Sequence, residues 1–240
     1  MGGGADGGYV TSQHHAEEAL MTSVAEGDIF QVRVALSEGV DPDCVDDEMS
    51  TPLHVAAFLG HVEIVELILQ TSRKSLEAMG QLSATPLHVA ATAGRNDVVK
   101  LLLDANAIVD ARDEAALTPL VCAQTSPPLV DPTLKISCVE THAQHRAAQA
   151  GFGETAQLLL SSRATVDARN LDEYTPLHVA AMQGGRGRAV VACLLGVGAA
   201  ADARTSHGET AADLLLRGQG ADALTGGGDA SQLLEMLEPS

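Results

Sequence analysis

The cysteines and histidines of this chain are the residues whose types and spacing come closest to a metal-binding pattern. Cys138, His142 and His145 lie close together in the sequence, and Cys122 precedes them. Two thiolates and two imidazoles could hold a zinc ion in a tetrahedral site. The spacing matches no common zinc finger, however, so we predict no metal site and keep a metal-binding adaptor as an alternative.

Three further histidines stand in identical local sequence, which favours a structural role over a catalytic one. His54, His88 and His178 each follow a Thr by three residues, at the third position of a predicted helix. An imidazole at that position can hydrogen-bond back to the capping Thr or across to a neighbouring unit. We therefore expect these three side chains to support the fold.

Other residues that could form a calcium site, a phosphate-binding loop or a catalytic site lack the spacing that such sites require. Asp46, Asp47 and Glu48 are adjacent, but they lack the alternating ligand spacing of a calcium loop. The glycines at 226–228 are not followed by the Lys-Ser/Thr pair of a phosphate-binding loop, and no nucleophile motif is present. The sequence therefore predicts no enzymatic activity and no cofactor.

The charge balance narrows the class of partner. The chain has 32 acidic and 14 basic residues and a net charge of −18. A nucleic acid requires a basic surface, so we exclude nucleic-acid binding, and an anionic membrane surface is disfavoured for the same reason. A basic protein segment is the partner that such a field attracts. Without a membrane-length apolar run or a disulfide framework, we expect an intracellular protein, cytoplasmic or nuclear.

The elements that position these residues recur along the chain. The sequence TPLHVAA begins at Thr51, Thr85 and Thr175, and each copy precedes a segment rich in Val and Leu at helical spacing. In the first copy, Thr51 can cap a helix, Pro52 suits the first helical position, and Gly60 suits the left-handed residue that ends it. Each unit is therefore predicted to be a helix–turn–helix pair.

These motifs resemble the ankyrin-repeat family, whose pattern is TPLHVAAxxGH followed by a Val/Leu helix, with a β-turn segment between units. In this chain the segment between units reads Val-Asp-Ala-Arg at 109–112 and 166–169. The resemblance implies an all-α solenoid of helix–turn–helix pairs joined by β-turn or hairpin loops. Such a fold needs few aromatic residues, which make up 2% of this chain. A disordered Gly-rich tail at 1–16 precedes about six repeats within 17–238, at about 17–50, 51–84, 85–117, 118–174, 175–209 and 210–238.

The fourth repeat contains an insertion at 124–147, because removing these residues restores a unit of ordinary length. Pro127, Pro128 and Pro132 forbid a continuous helix through the insertion. We expect an exposed, poorly ordered loop, with 142–150 as a segment that could complete the interrupted helix. A translated remnant of unspliced message would give the same pattern.

The resemblance also implies a protein-binding surface, because turn tips and the ends of first helices line the concave side of such a solenoid. The corresponding positions on the tips are Asp47, Glu48, Ser50, Gln81, Leu82, Ala84, Glu114, Ala115, Leu117, Leu171, Asp172, Tyr174, Ser206, His207 and Glu209. The positions after the Ala-Ala pairs include Phe58, Leu59, Thr92, Met182 and Gln183. Large apolar groups among them, such as Phe58 and Tyr174, are typical of binding hot spots.

The sequence therefore predicts a non-catalytic protein–protein interaction module or scaffold, monomeric, whose concave acidic face binds a partner protein. A basic segment is the partner chemistry that the charge favours. A regulatory ankyrin subunit, or a fragment of a larger enzyme or channel system, is one alternative, and the metal-binding adaptor is the other. We also expect Leu101 and Leu158 to be buried in the core.

Overall fold

The computed structural model describes residues 7–123, 153–219 and 228–237, and within these ranges the chain is helical. This part contains twelve α-helices in six successive pairs and no strand. The helices are α1 Gly7–Glu26, α2 Ile29–Ser37, α3 Pro52–Leu59, α4 Val62–Thr71, α5 Pro86–Thr92, α6 Asn96–Asp104, α7 Pro119–Cys122, α8 153–161, α9 Pro176–Met182, α10 Arg188–Gly196, α11 Ala211–Gln219 and α12 Gly228–Leu237.

The pairs stack along one direction, as in a solenoid. The first helices α3, α5 and α7 pack side by side, and the second helices α2, α4 and α6 form a neighbouring row. Each pair therefore buries its apolar face mainly against the adjacent pairs. The predicted all-α solenoid is confirmed.

The helix that begins at Pro52 shows why each unit folds locally. Thr51 has an extended backbone (φ −86°, ψ 163°), and its hydroxyl accepts the N–H of His54. Pro52 occupies the first helical position, where a missing N–H costs nothing. Gly60 ends the helix with φ 85°, a conformation that glycine adopts without steric penalty, and donates its N–H to Ala56. The predicted cap and stop residues therefore act as expected.

The core consists of small and aliphatic side chains. Ala56 and Ala57 of α3 are fully buried, so neighbouring first helices can approach closely. Leu102 and Leu159 are fully buried on the second helices, whereas Leu101 and Leu158 are only partly buried. The fully buried Leu is therefore one position later in each helix than the sequence analysis expects. A shift of one residue is a rotation of about 100° around a helix.

The loops between pairs end in tight turns, the tips, at residues 46–50, 80–84, 113–117, 170–174 and 205–209. Backbone hydrogen bonds join each of the last three tips to the one before it, from Glu114 N–H to Leu82, from Leu171 N–H to Ala115 and from Ser206 N–H to Asp172 (2.8–3.3 Å). The last four tips are therefore connected in a row beside the first helices.

Two parts of the chain bear on the predicted repeat boundaries. Helix α1 begins at Gly7, within the segment 1–16 for which the sequence predicts a disordered tail. Residues 9–26 contain neither Gly nor Pro, so nothing stops the helix anchored by buried Leu20 and Val24 from extending toward the N-terminus. The predicted insertion at 124–147 and the helical completion at 142–150 lie outside the described residues.

Candidate functional site

An apolar groove of about 540 Å³ lies between the row of tips and the first helices. Leu82 and Leu171 project from two tips and are 50% and 72% exposed. Helices α3, α5 and α7 supply the opposite side. The groove is lined by Ser50, His54, Phe58, Gln81, Leu82, Ala84, His88, Val89, Thr92, Asp113, Glu114, Ala115, Leu117, Cys122 and Leu171.

Two successive tips contain the same pair of hydrogen bonds between a side-chain oxygen and backbone N–H groups. Asp113 Oδ1 accepts the N–H groups of Ala115 and Leu117 at 2.9 and 2.8 Å. Asn170 Oδ1 does the same in the following tip, at 3.1 and 2.8 Å. Such side-chain turns are typical of Asp and Asn. A short polar residue at the start of the tip therefore fixes the backbone that carries the groove residues.

The tip that carries Leu82 has a different geometry, because Gly80 stands where the other tips have a side-chain acceptor. Leu82 and Ser83 are both left-handed there, with φ 55° and 59°. Residues other than glycine adopt this region at a steric cost. The exposed Leu82 is therefore held in a strained turn, as is common for residues at binding sites.

Buried histidines connect the floor of the groove to the tips. Thr51 N–H and Thr51 Oγ1 both lie within hydrogen-bond distance of His54 Nδ1, at 3.2 and 2.9 Å. The other ring nitrogen, Nε2, lies 3.0 Å from the carbonyl oxygen of Ala84 on the next tip. His88 repeats this arrangement with the Leu117 carbonyl at 3.0 Å. As predicted, these histidines bind the cap and the neighbouring unit.

The hydrogen-bond pattern fixes the protonation of these rings. A backbone N–H can only donate, so Nδ1 must accept and the proton of the neutral imidazole must lie on Nε2. Burial lowers the pKa of His54, His88 and His178, and the backbone carbonyls near each ring oppose this shift only in part. The histidines therefore favour the neutral form in which they hold the tips.

The fourth unit lacks this connection. Val121 occupies the position of the histidine, and Thr118 Oγ1 is buried without a hydrogen-bond partner in the described part of the chain. Helix α7 has four residues and contacts α9 less extensively than it contacts α5. Among the described residues, the junction between α7 and α9 therefore lacks the histidine hydrogen bonds that connect the second unit to the third and the third to the fourth.

Ten of the twenty contact positions named from the sequence line the groove, namely Ser50, Phe58, Gln81, Leu82, Ala84, Thr92, Glu114, Ala115, Leu117 and Leu171. Ser50 is buried, so it contributes little surface. Ten do not line it, namely Asp47, Glu48, Leu59, Asp172, Tyr174, Met182, Gln183, Ser206, His207 and Glu209. Tyr174 instead packs edge-on against His178, with ring centroids 5.9 Å apart. Leu59 is half-buried against the core.

Five lining residues are not among these positions: His54 and His88, which the sequence assigned to supporting the fold, and Val89, Asp113 and Cys122, which it did not assign to a contact surface. Val89 belongs to the repeated TPLHVAA motif, whose recurrence gives no sign that this copy is accessible. Asp113 is the first residue of its tip, where an Asp is typical of a turn. Cys122 lies at the end of α7 with a buried thiol, whose pKa burial and Asp113 raise to about 12. A thiol of that pKa is protonated near neutral pH and is a poor nucleophile or metal ligand.

Most of the potential zinc ligands considered in the sequence analysis lie outside the described part of the chain. Cys138, His142 and His145 lie outside the described residues. Among the residues that are described, no group of three or more His, Cys, Asp or Glu could hold a metal ion. The helices of that same part include none that is long and apolar enough to cross a membrane.

Comparison with known proteins gives two matches. A family model described as ankyrin repeats, in three copies, matches residues 20–113, and a model of the single ankyrin repeat matches residues 172–206. Together they cover more than half of the chain, on both sides of the predicted insertion. No curated protein matches the chain.

Proposed function

Because the chain belongs to the ankyrin-repeat family, we propose that it is a non-catalytic interaction module that binds a partner protein in the groove of its concave face. Repeats of this family are generally protein–protein interaction modules. The observation that carries the proposal is the apolar groove, whose walls leave Leu82 and Leu171 facing water. An exposed apolar surface of this kind is typical of a protein–protein interaction site.

The energetics support binding at these two residues. Covering an exposed Leu side chain contributes about 1.5–3 kcal/mol by removing apolar surface from water. Leu82 is held by its turn and Leu171 by the hydrogen bond of its backbone N–H to Ala115, so little order is lost when a partner covers them. Phe58, half-buried at the floor, adds an aromatic side chain to the same surface.

The test is capture of partner proteins from the native cell by the full chain and by two double variants. Leu82→Ser with Leu171→Ser removes the apolar walls of the groove. Ile108→Ser with Val197→Ser removes two exposed aliphatic side chains outside it and serves as the matched control. We expect the control to retain the proteins captured by the unmodified chain, and the groove variant to lose them while its helical circular dichroism is unchanged. Equal capture by the groove variant would contradict the proposal.

A further inference from the structure

We infer that the groove binds a segment of a partner protein that carries apolar side chains together with at least one Lys or Arg. This inference rests on the proposed function and adds the chemistry of the partner. Two features of the lining carry it: the apolar surface that an anchor would fill, and two carboxylates with no cation among the lining residues.

The apolar part of the groove comes from both sides. Leu82, Leu117 and Leu171 extend along the tips, and Phe58 and Val89 lie on the first helices α3 and α5. A partner side chain between these two sides touches hydrocarbon on each. An anchor of the Leu, Met or aromatic type therefore fits the lining better than a polar one.

The charged part of the groove is confined to one tip. Asp113 and Glu114 are the charged residues among the lining, and both are acidic. The nearest cation in sequence, Arg112, does not line the groove and donates to the backbone carbonyl of Arg169 at 2.9 Å. A partner that covered this tip would thus take two carboxylates out of water with no cation from the groove itself.

This charge arrangement decides between classes of occupant. A wholly apolar segment would desolvate Asp113 and Glu114 without supplying a counter-charge, which opposes binding even though Asp113 accepts two backbone N–H groups. An acidic or phosphorylated segment would add repulsion from the same carboxylates. A Lys or Arg beside the apolar anchor would pair with them, and the net charge of −18 would speed the encounter.

The structure offers a variant that removes the charge and keeps the tip. Asp113→Asn is compatible with the turn because Asn170 already makes the equivalent pair of hydrogen bonds in the next tip. Combined with Glu114→Gln, it neutralises the groove. Glu63→Gln with Glu66→Gln on the exposed side of α4 removes the same charge away from the groove and is the matched control.

The probe is a displayed library of random twelve-residue peptides, selected on the immobilised full chain and then synthesised singly. Groove-dependent peptides are those that the Leu82→Ser, Leu171→Ser variant fails to bind. We expect them to combine apolar residues with Lys or Arg, and to lose about tenfold or more in affinity for the neutralised variant but not for the control. Replacing the peptide's Lys or Arg by Gln should weaken binding to the unmodified chain and change little with the neutralised variant.

Groove-dependent peptides that lack a cation, or that bind the neutralised variant as tightly as the unmodified chain, would overturn this inference and leave the proposed function in place. If no peptide depends on Leu82 and Leu171, the proposed function fails and the inference fails with it.

Discussion

At the scale of single residues, the buried histidines couple the cap of one helix to the tip of the next unit. His54 Nδ1 faces the backbone N–H of Thr51, and Nε2 faces the Ala84 carbonyl. A protonated ring would place an N–H opposite the Thr51 N–H, and the hydrogen bond from Thr51 N–H to His54 Nδ1 would be lost. The geometry and the lowered pKa therefore indicate the same neutral state.

The stability of the protein is expected to depend on pH through these rings. Their folded-state pKa values lie below the ordinary value of 6.5, so the unfolded chain binds more protons as pH falls below about 6.5. The histidine contribution is therefore fully present above that pH. It declines as pH falls from there toward the lowered folded-state values.

Urea unfolding between pH 8 and about pH 5 measures this effect. We expect the free energy of unfolding to fall over this range, and to fall less in the His88→Asn variant, which has one fewer buried imidazole. The exposed His207, replaced by Asn, is the control and should leave the slope unchanged. A slope unaffected by His88→Asn would contradict the role assigned to the buried rings.

At the scale of elements, the fold could be predicted from local signals because each unit carries its own cap, stop and apolar spacing. Thr51, Pro52 and Gly60 act within a few residues of one another, so the sequence alone indicates the helix. The error at Leu101 arose because two adjacent Leu residues fit the spacing equally well. Packing against the neighbouring pair selects Leu102.

The junction between α7 and α9 is the element-scale exception. Val121 replaces the histidine, and Thr118 Oγ1 is buried without a hydrogen-bond partner among the described residues. Tyr174 precedes Thr175 as Ala84 and Leu117 precede Thr85 and Thr118, and the carbonyls of Ala84 and Leu117 lie 3.0 Å from the histidine Nε2 in the second and third units. By this correspondence we expect a histidine at 121 to hydrogen-bond with Thr118 and with the carbonyl of Tyr174.

We expect Val121→His to raise the free energy of unfolding by about 1 kcal/mol, the usual net contribution of a buried hydrogen bond. Chemical denaturation at pH 8 measures it, since the ring is neutral there. Val121→Phe introduces a ring without nitrogen and should give no such gain. Equal effects of His and Phe would show that ring packing, rather than hydrogen bonding, governs this junction.

At the scale of the whole molecule, the groove depends on how units stack, which a repeating sequence pattern does not specify. The family pattern marks every tip alike, yet the lining of the groove extends only from the first tip, at Ser50, to the fourth tip, at Leu171. Tip residues such as Asp47 and His207 are exposed outside it. The large side chains of Leu82 and Leu171 form part of the groove lining, whereas the Tyr174 ring packs against His178.

The most direct test of groove binding is hydrogen–deuterium exchange of the full chain with and without a partner captured through Leu82 and Leu171. We predict slower exchange at the backbone amides of 81–84, 113–117 and 170–172 and along α5, because the partner covers the groove that they border. Protection confined to the second helices α2, α4 and α6, with these tips unchanged, would contradict binding in the groove.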